Sequence, residues 1–143
     1  MSNIKFEVLG NPQGKGRAKV TTRGAYAHAY TPLKTEMYEN LIKMSYINAY
    51  GNRPMFTDGQ LLLLTVKAYM PIPKSTPQKR IALWRLEQTY CSKKPDMDNI
   101  IKVVCDALNG TAYTDDRAVV RLSASKVYSD VPRLEIIVED LPF

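Results

Sequence analysis

The sequence predicts an α+β fold, a two-layer sandwich in which a mixed β-sheet carries helices on one face. Three observations predict it. Alternation of apolar with charged residues opens the chain, helical spacing of apolar residues recurs in its middle, and one long run is apolar enough to be a central strand. At 143 residues, one domain spanning 1–143 is expected, long enough to bury about two-thirds of its unfolded surface.

Residues 4–9 read Ile-Lys-Phe-Glu-Val-Leu, a strand with one buried face. Residues 11–24 follow as a basic loop: Lys15, Arg17, Lys19 and Arg23 stand among Gly14, Gly16 and Gly24 with no acid, a composition suited to gripping DNA phosphates. Gly-Lys-Gly here lacks the spacing and the Lys-Ser/Thr of a nucleotide-binding loop, so no nucleotide cofactor is expected. Residues 25–29, Ala-Tyr-Ala-His-Ala, read as an exposed loop or strand. From Pro32 a helix is expected, with Thr31 as its N-cap and Met37, Leu41, Met44 and Ile47 or Asn48 along a length packed on the sheet. Tyr38, Tyr46 and Tyr50 belong to the edge of a core rather than to a base-stacking platform.

Residues 51–59 are turn-like, and 61–69 form a strand apolar enough to be buried on both faces. The prolines at 71, 73 and 77 break regular structure before a short helix over 78–86, in which Trp84 is a packing anchor. Met97, Ile101, Val104 and Leu108 mark one face of a helix over 96–108, and Asn109-Gly110 stops it. Strands over 119–128 and 134–138 close the chain as a terminal hairpin through the turn at 129–132.

A net charge of +6 and an isoelectric point near 9.3 favour a polyanionic partner. No run reaches the ~20 apolar residues of a membrane span, and no secretory signal opens the chain. Cys91 and Cys105 are the two cysteines and are expected as free thiols in a cytoplasmic protein. With His28 as the one histidine, neither a zinc site of nitrogen and sulfur ligands nor a histidine-dependent nucleophile is expected.

Oxygen ligands are abundant by contrast. Five of the fourteen acidic residues, all Asp, fall between positions 96 and 116: Asp96, Asp98, Asp106, Asp115 and Asp116. Short carboxylates suit a tightly held hard cation, Mg²⁺ or Mn²⁺. Four-residue spacing puts Asp98, Lys102 and Asp106 on one helical stripe, with Asp96 at the N-terminal turn. The ordinary account has Asp96 and Asp98 capping the helix and Asp98 pairing with Lys102. It leaves unexplained why Asp115-Asp116 returns acid toward the same helix. Just upstream lies a second basic patch, Lys74, Lys79, Arg80, Arg85, Lys93 and Lys94 against the single acid Glu87.

Lys-Pro-Asp-x-Asp-Asn-x-x-Lys from 94, Asp-Ala-Leu-Asn-Gly from 106 and Tyr-x-Asp-Asp-x-x-Val from 113 closely resemble the core of the RusA-type Holliday-junction resolvases. These are crossover-junction endodeoxyribonucleases often carried by phages and prophages. The strong part covers residues 93–128, and Gly-x-Pro-x-x-Lys-Gly-Arg from 10 with Tyr-Thr-Pro from 30 extends the likeness along the chain. The resemblance implies the same α+β architecture, a homodimer, a branched DNA substrate and Mg²⁺, with Mn²⁺ as substitute. It assigns catalysis to Asp96, Asp98, Lys102 and Asp116, the three aspartates holding the metal. Asp115 and Asp106 would stand behind them, Asp106 supporting Lys102. The competing expectation is a basic nucleic-acid-binding module without catalysis, its aspartates serving only to stabilise a helix.

Overall fold

A computed structural model describes residues 3–17, 19–23 and 26–142; the side chains of Lys19, Thr21, Arg23, Tyr26 and His28 lie outside the description. The elements in chain order are β1 (Asn3–Leu9), β2 (Lys19–Arg23), β3 (Tyr26–Tyr30), α1 (Leu33–Tyr50), β4 (Leu61–Pro71), α2 (Gln78–Trp84), α3 (Met97–Leu108), β5 (Val119–Ser129) and β6 (Arg133–Leu141). A 3₁₀ turn, Asp116–Ala118, leads into β5.

The sheet runs β1-β6-β4-β5, with β4 and β5 parallel and the other pairs antiparallel, so it is mixed and the fold is α+β. One face is covered. β1 buries Ile4, Phe6 and Val8 while Lys5 and Glu7 face solvent, and β6 buries Leu134, Ile136 and Val138. These side chains share one core with α1 and α3. β4 is central as its composition predicts, but not buried on both faces: Leu62, Leu64, Val66 and Ala68 are buried, while Leu63, Thr65 and Lys67 are half-exposed. With helices on one side only, the second side of β4 meets water, and Lys67 belongs there. Tyr69 on that side is covered by the Arg133 guanidinium, 3.7 Å from its ring centroid.

The expected terminal hairpin does not form. β4 lies between β5 and β6, because the most apolar strand gains most from a partner on each side. The connection can do this. Two strand spacings amount to about 9.6 Å, and the four virtual bonds from Ser129 to Arg133 reach up to about 14 Å. Ser129 sits beside Pro71 and Arg133 beside Tyr69, so the turn crosses the end of β4. Part of the segment expected as a loop is a strand: β2 pairs with β3 as a separate two-stranded ribbon, for which Val20 and Thr22 supply β-branched side chains.

α1 buries Thr35, Tyr38, Ile42 and Tyr46. The expected face is turned outward by about one residue: Met37, Leu41 and Met44 are exposed, with Leu33 71 % exposed at the start of the same stripe. The tyrosines win because they bring more area, and two of them also satisfy their polar ends. Tyr46 packs edge-on against Phe6 and its hydroxyl donates to Arg53 O at 2.7 Å, while Tyr50 Oη accepts from Lys5 N at 2.8 Å. Thr31 is not the cap. The helix begins after Pro32, whose carbonyl accepts from Thr35 N and Glu36 N. α2 stops at Trp84, short of 86, and Trp84 stacks flat on Tyr128 with centroids 4.0 Å apart.

α3 buries Ile100, Val103, Val104, Ala107 and Leu108, leaving Met97 and Ile101 at the edge of the core rather than within it. Its end matches the sequence reading: Asn109 N bonds to Cys105 O, and Gly110 takes the left-handed conformation at φ 72°.

Candidate active site

α3 is amphipathic, so burying its apolar face fixes the opposite one, with Asp98 and Lys102 exposed one turn apart. Asp96 occupies the N-cap position, yet its side chain makes no capping hydrogen bond. Neither Asp96 nor Asp98 enters an ion pair among the described residues, and Lys102 is equally unpaired. The contacts that the ordinary account would assign to these three residues are therefore not made.

The two aspartates before β5 divide. Asp115 caps the 3₁₀ turn, accepting from Arg117 N at 3.1 Å, and that bond holds its carboxyl below the usual range. Asp116 points the other way, lining a cavity with Ile101, Cys105 and Leu122 between α3 and β5. Burial first, then the Asp115 and Asp106 carboxylates beside it, push its pKa up.

Asp106 does not support Lys102. Its carboxylate pairs with Lys15 Nζ at 3.1 Å, and Glu39 of α1 takes the other side of the same ammonium. Lys15 is therefore not a free cation for DNA, as the sequence reading had it: its side chain is 19 % exposed and ties the glycine-rich segment to α1 and α3. Burial opposes its charge, but the two carboxylates outweigh burial and raise its pKa.

The segment 11–17 lies tight on the helices. Lys15 N donates to Asn99 O at 2.9 Å and Gly16 N to Thr35 Oγ1 at 3.0 Å. A Cβ on Gly14 would stand 2.8 Å from the Asn99 Cβ. Between this segment, α1 and the start of α3 runs a groove of about 490 Å³, lined by Gln13, Gly14, Lys34, Lys94, Asp96 and Asn99 among others. Lys34 and Asn99 are residues the sequence reading did not single out. Asn99 stood inside the motif, but nothing in a sequence says that residue 15 will bond to it.

Of the other expected DNA contacts, Arg17, Lys74, Lys79, Arg80, Lys93 and Lys94 are exposed, and none of these six enters an ion pair among the described residues. Arg85 pairs with Asp130 at 3.5 Å. Lys19 and Arg23 lie on β2, where their side chains fall outside the described set.

Among the described residues no three carboxylate, imidazole or thiol side chains converge closely enough to share an ion. The donor chemistry nonetheless fits a hard divalent cation. Asp96, Asp98 and Asp116 offer only oxygen, and Asp116, whose pKa is raised first by burial, also stands near the Asp115 and Asp106 carboxylates. No helix among the described residues is long and apolar enough to cross a membrane.

The chain is 34 % identical over 143 residues to "Uncharacterized protein YqaN" of Bacillus subtilis (strain 168), with 99 % of each chain covered. The family described as "Endodeoxyribonuclease RusA" matches residues 10–139, from the glycine-rich segment into the last strand. With the motif and the carboxylate-bearing helix inside a match that spans most of the chain, the chain belongs to the RusA endodeoxyribonuclease family.

Proposed function

We propose that this endodeoxyribonuclease is a Mg²⁺-dependent, structure-selective enzyme that resolves four-way DNA junctions by paired symmetric cuts, working as a homodimer. The observation that carries the reading is the set of groups left without structural partners. Asp96, Asp98 and Lys102 project from one buried helix, Asp116 lies beside it, and no ion pair consumes any of the four among the described residues. Asp96, Asp98 and Lys102 are exposed and so remain free to meet a substrate and a cation.

Asp96, Asp98 and Asp116 would hold the ion, with Mn²⁺ able to replace Mg²⁺. Bound there, the ion supplies charge neutralisation at the phosphoryl oxygens and a water of lowered pKa, which together make phosphodiester hydrolysis accessible near neutral pH. Lys102, one turn from Asp98, presents a compact ammonium to the charge that develops on the scissile phosphate. Asp115, engaged by Arg117 N, fixes the backbone from which Asp116 projects. Arg17, Lys34, Lys74, Lys79, Arg80, Lys93 and Lys94 flank the groove or the α2 side and bind DNA phosphates, and Lys19 and Arg23 extend that surface along β2. Products carry 5′-phosphate and 3′-hydroxyl ends.

Two-fold symmetry suits a four-way junction, because two identical sites then meet two strands of like polarity. The outward stripe of α1, Leu33, Met37, Leu41 and Met44, supports a second copy as its cover, since α1 already has a complete buried face toward its own core.

The test is incubation of purified protein with a labelled synthetic four-way junction and a matched linear duplex, in Mg²⁺ or EDTA, alongside Asp98→Asn. Symmetric cuts in the junction that vanish in EDTA, in the duplex and in the variant are expected. Tight junction binding with no cuts under any divalent ion would replace this reading with a non-catalytic binding module.

A further inference from the structure

Lys126 stands on β5 opposite Ala68, on the face of the sheet that carries the core, and is half-buried with no carboxylate partner among the described residues. Its ammonium is spent on main chain. Nζ donates to Lys93 O and, at 2.8 Å, to Pro95 O. Those two carbonyls belong to the segment that delivers Asp96.

On either side the chain is held by backbone. Before it, Tyr128 N donates to Thr89 O and Cys91 N to Lys126 O, each at 3.0 Å, tying the chain to the edge of β5. After it, Ile100 N donates to Asp96 O at 3.1 Å as α3 begins. Between these anchors, residues 92–95 make no other hydrogen bond among the described residues. One side chain therefore supplies the hydrogen bonds that hold the four residues before Asp96.

We propose that Lys126 is a positioning residue that sets the Asp96 carboxylate in the metal-binding arrangement. The inference rests on the reading of Asp96 as a metal ligand. A peptide plane is rigid, so fixing the Pro95 carbonyl fixes the plane from which the Asp96 Cα projects. Asp98 gets its position from α3 and Asp116 from the 3₁₀ turn, both internally bonded elements. Asp96 precedes the first helical turn and has no such frame on its N-terminal side. Two of the three ammonium protons are committed to carbonyls, which leaves Lys126 poorly placed to serve as a general phosphate contact.

The test compares wild type with Lys126→Met, which keeps the stem and removes the donors, and Lys126→Arg, which keeps donors. Mn²⁺ binding to the intact protein without DNA is measured by calorimetry, junction affinity in EDTA across a salt series, and cleavage as a function of Mg²⁺. Lys126→Met is expected to weaken Mn²⁺ binding and raise the Mg²⁺ needed for half-maximal cleavage by about 10–100-fold, the usual cost of losing a group that orients a ligand. Junction affinity and its salt slope should not move, and Arg should restore most of the loss. Lys126→Gln, with a shorter donor, carries the same test if the Met variant melts below assay temperature.

Wild-type Mn²⁺ affinity in the Met variant overturns the proposal, as does a salt slope reduced by about one, which would make Lys126 a phosphate contact. Absence of Mn²⁺ binding in wild type itself overturns the metal reading, and this inference with it.

Discussion

Gly14→Ala tests whether the glycine-rich segment is a structural brace for the active site. The added methyl would stand 2.8 Å from Asn99 Cβ and 3.1 Å from Pro95 Cβ, both parts of the short stretch that carries Asp96 and Asp98. Regaining ordinary contact near 3.4 Å requires a retreat of about 0.6 Å, which strains the Lys15 N to Asn99 O bond, now 2.9 Å. Overpacking of this kind costs about 1–3 kcal/mol, and loss of the bond adds about 1 kcal/mol. With a urea slope of about 2 kcal/mol/M, the midpoint should fall by about 0.5–2 M. Misplacing a reacting group by about 1 Å can cost ~10²-fold in rate, so junction cleavage should fall by 10-fold or more at saturating Mg²⁺. Gly10→Ala is the control, since Gly10 sits at φ 103° with nothing within 4 Å of the new methyl. It should cost stability, about 1 kcal/mol, through backbone strain and leave cleavage unchanged. The reasoning fails if Gly14→Ala keeps wild-type midpoint and rate, or if the two variants lose activity equally.

Lys15→Met should cost about 1–3 kcal/mol at neutral pH, because Glu39 and Asp106 lose their shared cation, while the salt slope of DNA binding stays at the wild-type value. Since Lys15 has a raised pKa in the fold, its contribution is complete below pH 10.5 and disappears as pH rises through the folded value; the gap between wild type and variant in thermal melting should close only there. Lys94→Ala, at the groove, should instead lower the salt slope by about one unit with little change in melting. Glu87 behaves oppositely to Lys15: the Arg133 hydrogen bond at 2.9 Å holds its carboxyl low, so its contribution is present above pH 4.5 and lost as pH falls through the lowered value. Melting curves of Glu87→Gln and wild type should differ at pH 7 and converge in acid. Met37→Asp with Leu41→Asp should convert a dimer to a monomer in sedimentation without lowering the melting temperature of the monomer.

The legible parts of the fold were those in which a local pattern meets a single buried face. β1 and α3 are such cases, because charge alternates with apolar residues in one and a polar stripe opposes an apolar one in the other. α1 was misread because it is apolar on two faces, and periodicity alone cannot say which is turned inward. Residue size settles it: tyrosines bury more area than methionines do, and Tyr46 also reaches an acceptor. The β5–β6 adjacency failed for a different reason. A three-residue connection usually means a hairpin, but the partner of each strand is decided by which strand is most apolar, and β4 lies far away in sequence.

The site divides along the same line. Asp96, Asp98 and Lys102 were readable because one helix sets their mutual spacing. The separate behaviour of Asp115 and Asp116 was not, for adjacent residues in a turn diverge according to which side chain takes the turn's own backbone N–H. Here Arg117 N takes Asp115. That bond leaves Asp116 to face the Ile101–Cys105 side of α3, among other carboxylates, where its negative charge is least comfortable without a cation. Lys15 shows the reverse. A lysine between two glycines looks like a phosphate grip until the fold brings Glu39 and Asp106 to it from two helices, and it then becomes part of the frame. The free cations are the ones with no acid delivered by tertiary structure, and Lys94 is foremost among them because it borders the same groove as Asp96. DNA drawn toward that cation arrives with its backbone beside the carboxylates. The loss of Lys94 should therefore raise the KM for junction DNA more than it lowers the rate at saturation.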